Sequence, residues 1–349
     1  MIITHSKPMI DDDDIRAVSE VLASRNIAQG AKVMEFEEAV ARFVGVKYGV
    51  ACSSGTSALH LALLSLDVGP GDEVVMPSYV CSSPYFATVQ AGALPKIADI
   101  DLADFNLNVD SARKQLTVRT KAIIVPHMFG TAAEIGELLE LGVPIIEDCA
   151  QSLGAEYKGR QVGSYGAVST FSFYATKMIT TGEGGMILTN NSESWNRLVD
   201  LRDYDKKPLF PTKYNYKMTD FQAALGLSQL KKLQYFIERR AEIARIYDER
   251  FSAHNVEVPI SSSHKEPVFY RYVVKISDID RVQNDAKQKG VICERPIFQP
   301  LHSALSLNGF PNSEGAKARA LSIPLYPSLS ENEIEYLTGT LNDILARND

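Results

Sequence analysis

The chain has no run of about eighteen apolar residues, so no segment reads as a membrane-spanning helix. Its four cysteines, at 52, 81, 149 and 293, have neither zinc-ligand spacing nor the density of a disulfide framework, and no metal site is expected. Basic residues form no stripe and the net charge is -7, which excludes nucleic acid as an expected partner. An anionic substrate would therefore need local positive groups against a repelling overall field. Gly-x-Gly-x-x-Gly is absent, and no glycine-rich loop ends in Gly-Lys-Ser/Thr, so the common dinucleotide and nucleotide-triphosphate loops are missing. Met1-Ile-Ile-Thr-His-Ser-Lys7 passes quickly into Asp11–Asp14, unlike a secretory signal, and a cytoplasmic protein is expected. With 45% hydrophobic and 23% charged residues, the 349-residue chain has ordinary globular composition and a length that suits two domains.

What is present is alternation. Short apolar, β-branched runs recur at 73–76, 94–97, 122–126, 143–146 and 185–189, between helical or loop segments. They are apolar on both alternations, as strands buried on both faces are. The pattern predicts an α/β fold, a three-layer sandwich with a mostly parallel central sheet, over residues 1–234. From Thr219 the texture changes. Residues 221–251 read as one long rigid helix, followed by strand-like runs at 268–276 and 291–296, a helix over 279–289, and a last helix capped by Ser330 and Glu333. This predicts a smaller C-terminal α+β domain over 235–349.

Three local features carry chemistry. Ser53-Ser-Gly55-Thr56-Ser57 lies between a predicted strand and a predicted helix, where small residues and free backbone N–H groups suit a phosphate or serve as a plain helix cap. Asp148 ends the apolar strand 144–148, at the strand edge where ligands bind in open α/β sheets; Glu147 beside it is a rival. A carboxylate there can keep a pyridine nitrogen protonated. Lys177 follows the alternating strand 169–174 and precedes Gly182-Glu-Gly184-Gly185, whose glycines let backbone approach a ligand closely. A lysine at that edge can form a Schiff base if its surroundings lower its pKa.

In this order the pieces match a fold-type I pyridoxal phosphate enzyme. The stretches Gly69-Pro-Gly-Asp-Glu-Val74, Glu147–Ala155, Phe171-Ser-Phe-Tyr-Ala-Thr-Lys177, Gly182–Gly185, Tyr214-Asn-Tyr-Lys-Met-Thr219 and Leu321–Tyr326 give the resemblance its detail. The chain resembles the DegT/DnrJ/EryC1/StrS family of sugar aminotransferases, from about residue 10 to residue 344. The resemblance implies pyridoxal 5'-phosphate as cofactor, Lys177 as its Schiff-base lysine and proton shuttle, and Asp148 on the pyridine nitrogen. It implies Gln151 on the phenolic oxygen and Thr56, Ser57 and Ser172, around Gly55, on the phosphate. Asn215 would reach the phosphate of the other subunit's cofactor, which implies a homodimer with shared sites.

One position departs from the family pattern. Where an aromatic residue is usual after Pro77-Ser78, this chain has Val80 and Cys81. Cys81 is the first candidate to pack on the cofactor face, being soft and apolar, with Tyr79 and Tyr85 as rivals. His127 reads as a supporting histidine and His60 as packing. The implied reaction is a two-stage transamination from glutamate to a keto group of a nucleotide-linked sugar, feeding surface polysaccharide or a glycosylated metabolite. Lys213, Lys217 and Arg295 are the candidate diphosphate partners. The alternatives are an aminotransferase on a cyclitol or other non-nucleotide ketone, a dehydratase of the same family, which Lys177 argues against, and a non-catalytic cofactor-binding regulator.

Overall fold

The computed structural model describes residues 1–210, 212–251, 256–259 and 262–346. Its centre is a seven-stranded sheet in the order Tyr48–Cys52, Gly185–Thr189, Val168–Ser172, Ile145–Asp148, Thr120–Pro126, Glu73–Pro77, Leu94–Ala98. Only Gly185–Thr189 runs against the others. Alternate side chains enter two different cores. Ala51, Val75, Ile123, Val125, Ile145, Met186 and Leu188 face one layer of helices. Val50, Val74, Met76, Ala122, Ile124, Ile146 and Ile187 face the other. Both faces are covered, as a sheet with few polar residues on either face requires, and the expected three-layer sandwich is the observed one.

The helix Gly55–Ser65 is apolar nearly all round and is buried against this sheet. The expected single helix over 221–251 is two, Asp220–Lys231 and Leu233–Phe251, broken at Lys232 without glycine or proline. Lys232 turns its ammonium to Asp11 and Asp14, at 2.8 and 2.7 Å, so the break anchors the N-terminal helix Asp12–Ser24.

The C-terminal region builds its own core around an antiparallel pair, Tyr272–Lys275 with Ala320–Ile323. Ile243, Tyr247, Phe251, Ile279, Val282, Ile334, Leu337 and Leu341 fill it, and Ile3 from the other end of the chain joins them. The strand expected at 291–296 is reduced to isolated bridges, Val291 with Ile3 and Glu294 with Ser322. Several contacts join this region to the large sheet, among them Leu301 N–H to Ser78 O at 2.8 Å, Asn312 and Ser313 on Asp99, and a clamp at 129–130. Val268 N–H donates to Gly130 O at 3.0 Å and Arg271 N–H to Phe129 O at 3.3 Å. Gly130 has φ +94, and a Cβ there would lie 2.8 Å from Tyr270 N. The clamp therefore needs glycine for both conformation and space.

The reversed strand decides what happens at the sheet edge. Its first residue, Gly185, lies between Cys52 and Ser172, the last residues of its two neighbours. A Cβ on Gly185 would press into the Ser54 carbonyl and come within 2.9 Å of Gly55 N. The expected reason for this glycine was close approach to a ligand; the backbone that approaches is the 54–55 turn. Gly185→Ala is expected to lower stability by about 1–3 kcal/mol through overpacking. Denaturant unfolding of the cofactor-free protein measures this, and wild-type stability would refute the packing argument.

Candidate functional site

Six strands of the sheet deliver their carboxyl ends to one edge, and a cavity of about 240 Å³ opens there. Ser54, Gly55, Thr56, Cys81, Ser83, Asp148, Ala150, Thr170, Ser172, Tyr174, Lys177 and Glu183 are among its lining residues. A larger concavity, about 640 Å³, lies between the helices Asp12–Ser24, Ala31–Val44 and Asp220–Lys231. It is lined by ordinary surface groups and contains no strand end, so it offers none of this chemistry.

The turn at 53–57 forms one wall. Ser54 caps the helix through Ser57 N–H at 3.1 Å. Gly55 sits so close to Ser172 that a Cβ at 55 would lie 2.8 Å from the Ser172 Cβ. Thr56 donates its hydroxyl to Ser83 Oγ at 3.0 Å, a partner with no local sequence signal. Ser57 behaves differently from Thr56. Its hydroxyl bonds to Ser53 Oγ and Ser54 Oγ, at 3.1 and 2.9 Å, and it is not among the lining residues. Tyr216 O holds Ser53 N–H at 2.8 Å, and the Tyr216 hydroxyl meets His60 Nδ1 at 3.2 Å, so the 214–218 segment braces this wall from behind. Asn215 itself is exposed and lies outside the cavity.

The neighbouring carboxylates Glu147 and Asp148 point to opposite fates because side chains alternate along a strand. Glu147 is buried away from the cavity and accepts from Gly163, Tyr165 and Gly166 N–H at 2.8, 2.7 and 2.6 Å, and from His127 Nε2 at 3.0 Å. Burial raises its pKa, but His127 and these N–H groups outweigh it and hold the carboxyl below its usual range. Ala133 N–H donates to His127 Nδ1 at 3.0 Å, so Nε2 carries the ring proton toward Glu147. His127, Glu147 and Cys149 cluster within 4.8 Å, yet His127 and Glu147 are already hydrogen-bonded and burial pushes the Cys149 thiol well up, which suits packing better than a metal ion. Of the two carboxylates at the strand end, Asp148 is the one among the cavity's lining residues. Among the described residues its carboxylate accepts one hydrogen bond, from Ala150 N–H at 3.0 Å. Burial pushes its carboxyl above the usual range, against the pull of Ala150 N–H and of Lys177 across the cavity.

Two further groups were not visible in the sequence. The Thr170 hydroxyl, one strand over and paired with Asp148, is buried and has no hydrogen-bond partner among the described residues. Tyr270, from the C-terminal region, places its ring 5.0 Å from Lys177 Nζ. Gln151 is not among the lining residues; its Oε1 accepts from Phe129 N–H at 2.9 Å, an arrangement that commits the amide oxygen and leaves Nε2 as the group to donate. Cys81 is exposed and lines the cavity. Its rivals do not: Tyr79 is buried against Phe105, and Tyr85 packs edge-on to Phe86. The three basic residues nominated for a diphosphate are committed elsewhere. Lys213 pairs with Asp200 at 2.7 Å, Lys217 with Asp203 at 3.0 Å and Asp205 at 2.5 Å, and Arg295 with Asp280 at 2.6 Å.

Residues 8–342 match the DegT/DnrJ/EryC1/StrS aminotransferase family. The chain belongs to that family. Its relatives include a GDP-perosamine synthase of Caulobacter vibrioides, 33% identical over 98% of each chain. A UDP-N-acetyl-3-dehydro-alpha-D-glucosamine 3-aminotransferase of Acidithiobacillus ferrooxidans is 29% identical over 97% of this chain and 98% of that one. Among solved structures, the aminotransferase TlmJ of Streptoalloteichus hindustanus superposes with a TM-score of 0.95, at 30% identity, covering 99% of this chain and all of the other. The protein is an aminotransferase and its cofactor is pyridoxal phosphate. The cavity fits that group. It offers hydroxyls and N–H groups at one wall, a buried carboxylate at a strand end, an amine, and an unpartnered hydroxyl at Thr170.

Because the folded aminotransferase holds Asp148 with a raised pKa, its ionised carboxylate destabilises the cofactor-free fold at neutral pH, and the penalty fades as pH falls through that raised value. Asp148→Asn should therefore raise the melting temperature of the cofactor-free enzyme at pH 7, with the gain shrinking in acid, while lowering kcat by about 100-fold or more. Calorimetry across pH checks the first part; a stability gain independent of pH would refute the assignment of the penalty to this charge.

Proposed function

We propose that the aminotransferase moves an amino group from glutamate to a keto group of a nucleotide-linked sugar. The observation that carries this reading is the convergence of Lys177, Asp148 and the 54–56 turn on one cavity at the strand edge. When bound there, pyridoxal phosphate supplies an electron sink that makes the proton on the substrate's amine-bearing carbon removable. The residues of this chain do the rest. Gly55 N–H, Thr56 and Ser172 hold the phosphate at the turn, with Ser57 acting through the cap that keeps the turn in shape. Asp148 holds the ring nitrogen's proton, and the cation formed there compensates the carboxylate that burial penalises. Gln151 Nε2 donates to the phenolic oxygen.

Lys177 binds the cofactor through its amine and, once released, moves a proton between substrate and cofactor carbons. Half-burial in the cavity limits water that would compete for that proton. Cys81, which lines the cavity with Ala150, would pack on the ring face. Asn215, exposed on this chain, reaches the cofactor phosphate of a second copy, so the active unit is a homodimer. The similarity to enzymes named for GDP-linked and UDP-linked sugars supports a nucleotide-linked ketosugar as acceptor. Among the described residues no helix is long and apolar enough to cross a membrane, in keeping with a cytoplasmic enzyme acting on such sugars.

The purified holoenzyme should exchange its amino group with glutamate, read as a change in the cofactor's visible absorbance, and recover its first spectrum with a keto-sugar nucleotide. No change across a panel of amino donors would contradict transamination, and recovery only with a cyclitol ketone would replace the acceptor. Cys81→Ala should keep cofactor attachment to Lys177 but weaken cofactor affinity by roughly threefold to tenfold, the size of a sulfur–aromatic contact. Fluorimetric titration measures it, and unchanged affinity would remove Cys81 from the ring face.

A further inference from the structure

In the proposed reaction Lys177 is the group of this site that works both attached to the cofactor and free. Its Nζ lies 5.0 Å from the centroid of the Tyr270 ring. That ring is buried, with 6% of the residue exposed. A second cation, Arg271, stands 5.2 Å from the same centroid. The phenol is hydrogen-bonded to Thr176, the residue next to Lys177. Burial raises the phenol's pKa, but Lys177, Arg271, the Thr176 bond and Arg240 together bring it down to about 8.

Tyr270 is held more firmly than packing alone needs. Arg240, buried in the helix Leu233–Phe251, donates to the carbonyls of Phe269, Tyr270 and Leu325 at 3.2, 3.2 and 3.1 Å. The clamp on Phe129 and Gly130 fixes the same segment from the other side, and Phe129 N–H is in turn bonded to Gln151. The ring is thus presented to the cavity's lysine by two independent anchors, although it belongs to a segment about 90 residues further along the chain.

We propose that the Tyr270 ring face is the resting place of Lys177 whenever its amine is free, making Tyr270 a positioning residue for the lysine that moves the proton. The assignment rests on the reading of Lys177 given above. A ring face attracts an ammonium and has no lone pair to compete for its proton. It holds the released lysine near the cavity and lets go when the amine is deprotonated for its next transfer. Without the ring, a four-carbon stem with free rotamers would wander. Asp148 shares the cavity with Lys177, and Arg271 and Arg240 lie near the Tyr270 ring.

The test compares Tyr270→Phe, which keeps the ring, with two ringless variants, Tyr270→Met and Tyr270→Leu, so that one folded ringless protein suffices. In cofactor-free protein, acetic anhydride labelling of the Lys177 peptide is followed by mass spectrometry over the pH range in which lysines titrate. Ringless variants should label roughly threefold faster below the titration midpoint, the size of a lost cation–π contact, and Tyr270→Phe should match wild type. In holoenzyme the ringless variants should lose about tenfold in kcat with little change in KM, as expected when a group acting after binding is misplaced. Wild-type labelling in the ringless variants, or equal damage in Tyr270→Phe, would overturn the proposal. A wild-type holoenzyme that fails to exchange with any amino donor would instead overturn the functional reading itself.

Discussion

Everything at the strand edge depends on one unbalanced charge. Asp148 is buried with a single N–H donor and a lysine across the cavity, beside an unpartnered threonine hydroxyl. A buried carboxylate so poorly satisfied is expensive, and proteins keep one where a cationic group is to arrive. Glu147 shows the alternative on the next residue: the same chemical group, buried more completely, but saturated by three backbone N–H groups and a histidine. One carboxylate organises the 163–166 turn, and the other is left wanting. The difference follows from the period of two along a strand.

The fold supplies the setting through topology. Parallel strands bring their carboxyl ends to one edge, and the one reversed strand brings Gly185 there between Cys52 and Ser172. That crossing presses the 54–55 turn against Ser172 and makes a single hydroxyl-lined wall out of residues more than a hundred positions apart. The 214–218 segment holds the wall from behind, and Tyr270 of the C-terminal region stands with its ring 5.0 Å from Lys177 Nζ.

Much of this was legible in the sequence because it is local. Lys177, Asp148 and Gly55-Thr56 each stand at a strand end, and a strand end is marked by where an apolar run stops. Ser57 was harder: Ser, Gly and Thr suit both phosphate and cap, and the sequence could not show that its hydroxyl bonds Ser53 and Ser54. Thr170 was hidden because a threonine in a strand is ordinary until its neighbour's chemistry is known. Tyr270 was hidden by distance along the chain. The break at Lys232 carried no glycine or proline and is set by the tertiary pull of Asp11 and Asp14. Proximity in sequence to a recognised motif gave no sign of the acids Asp200 and Asp203, with which Lys213 and Lys217 pair here.

The most direct measurement is to treat the pyridoxal phosphate-loaded enzyme with borohydride, which fixes the cofactor to the amine that holds it, and to map the modified peptide by mass spectrometry. The account predicts a single modification on Lys177, abolished when excess glutamate is added first. Modification at another lysine, or none, would contradict it.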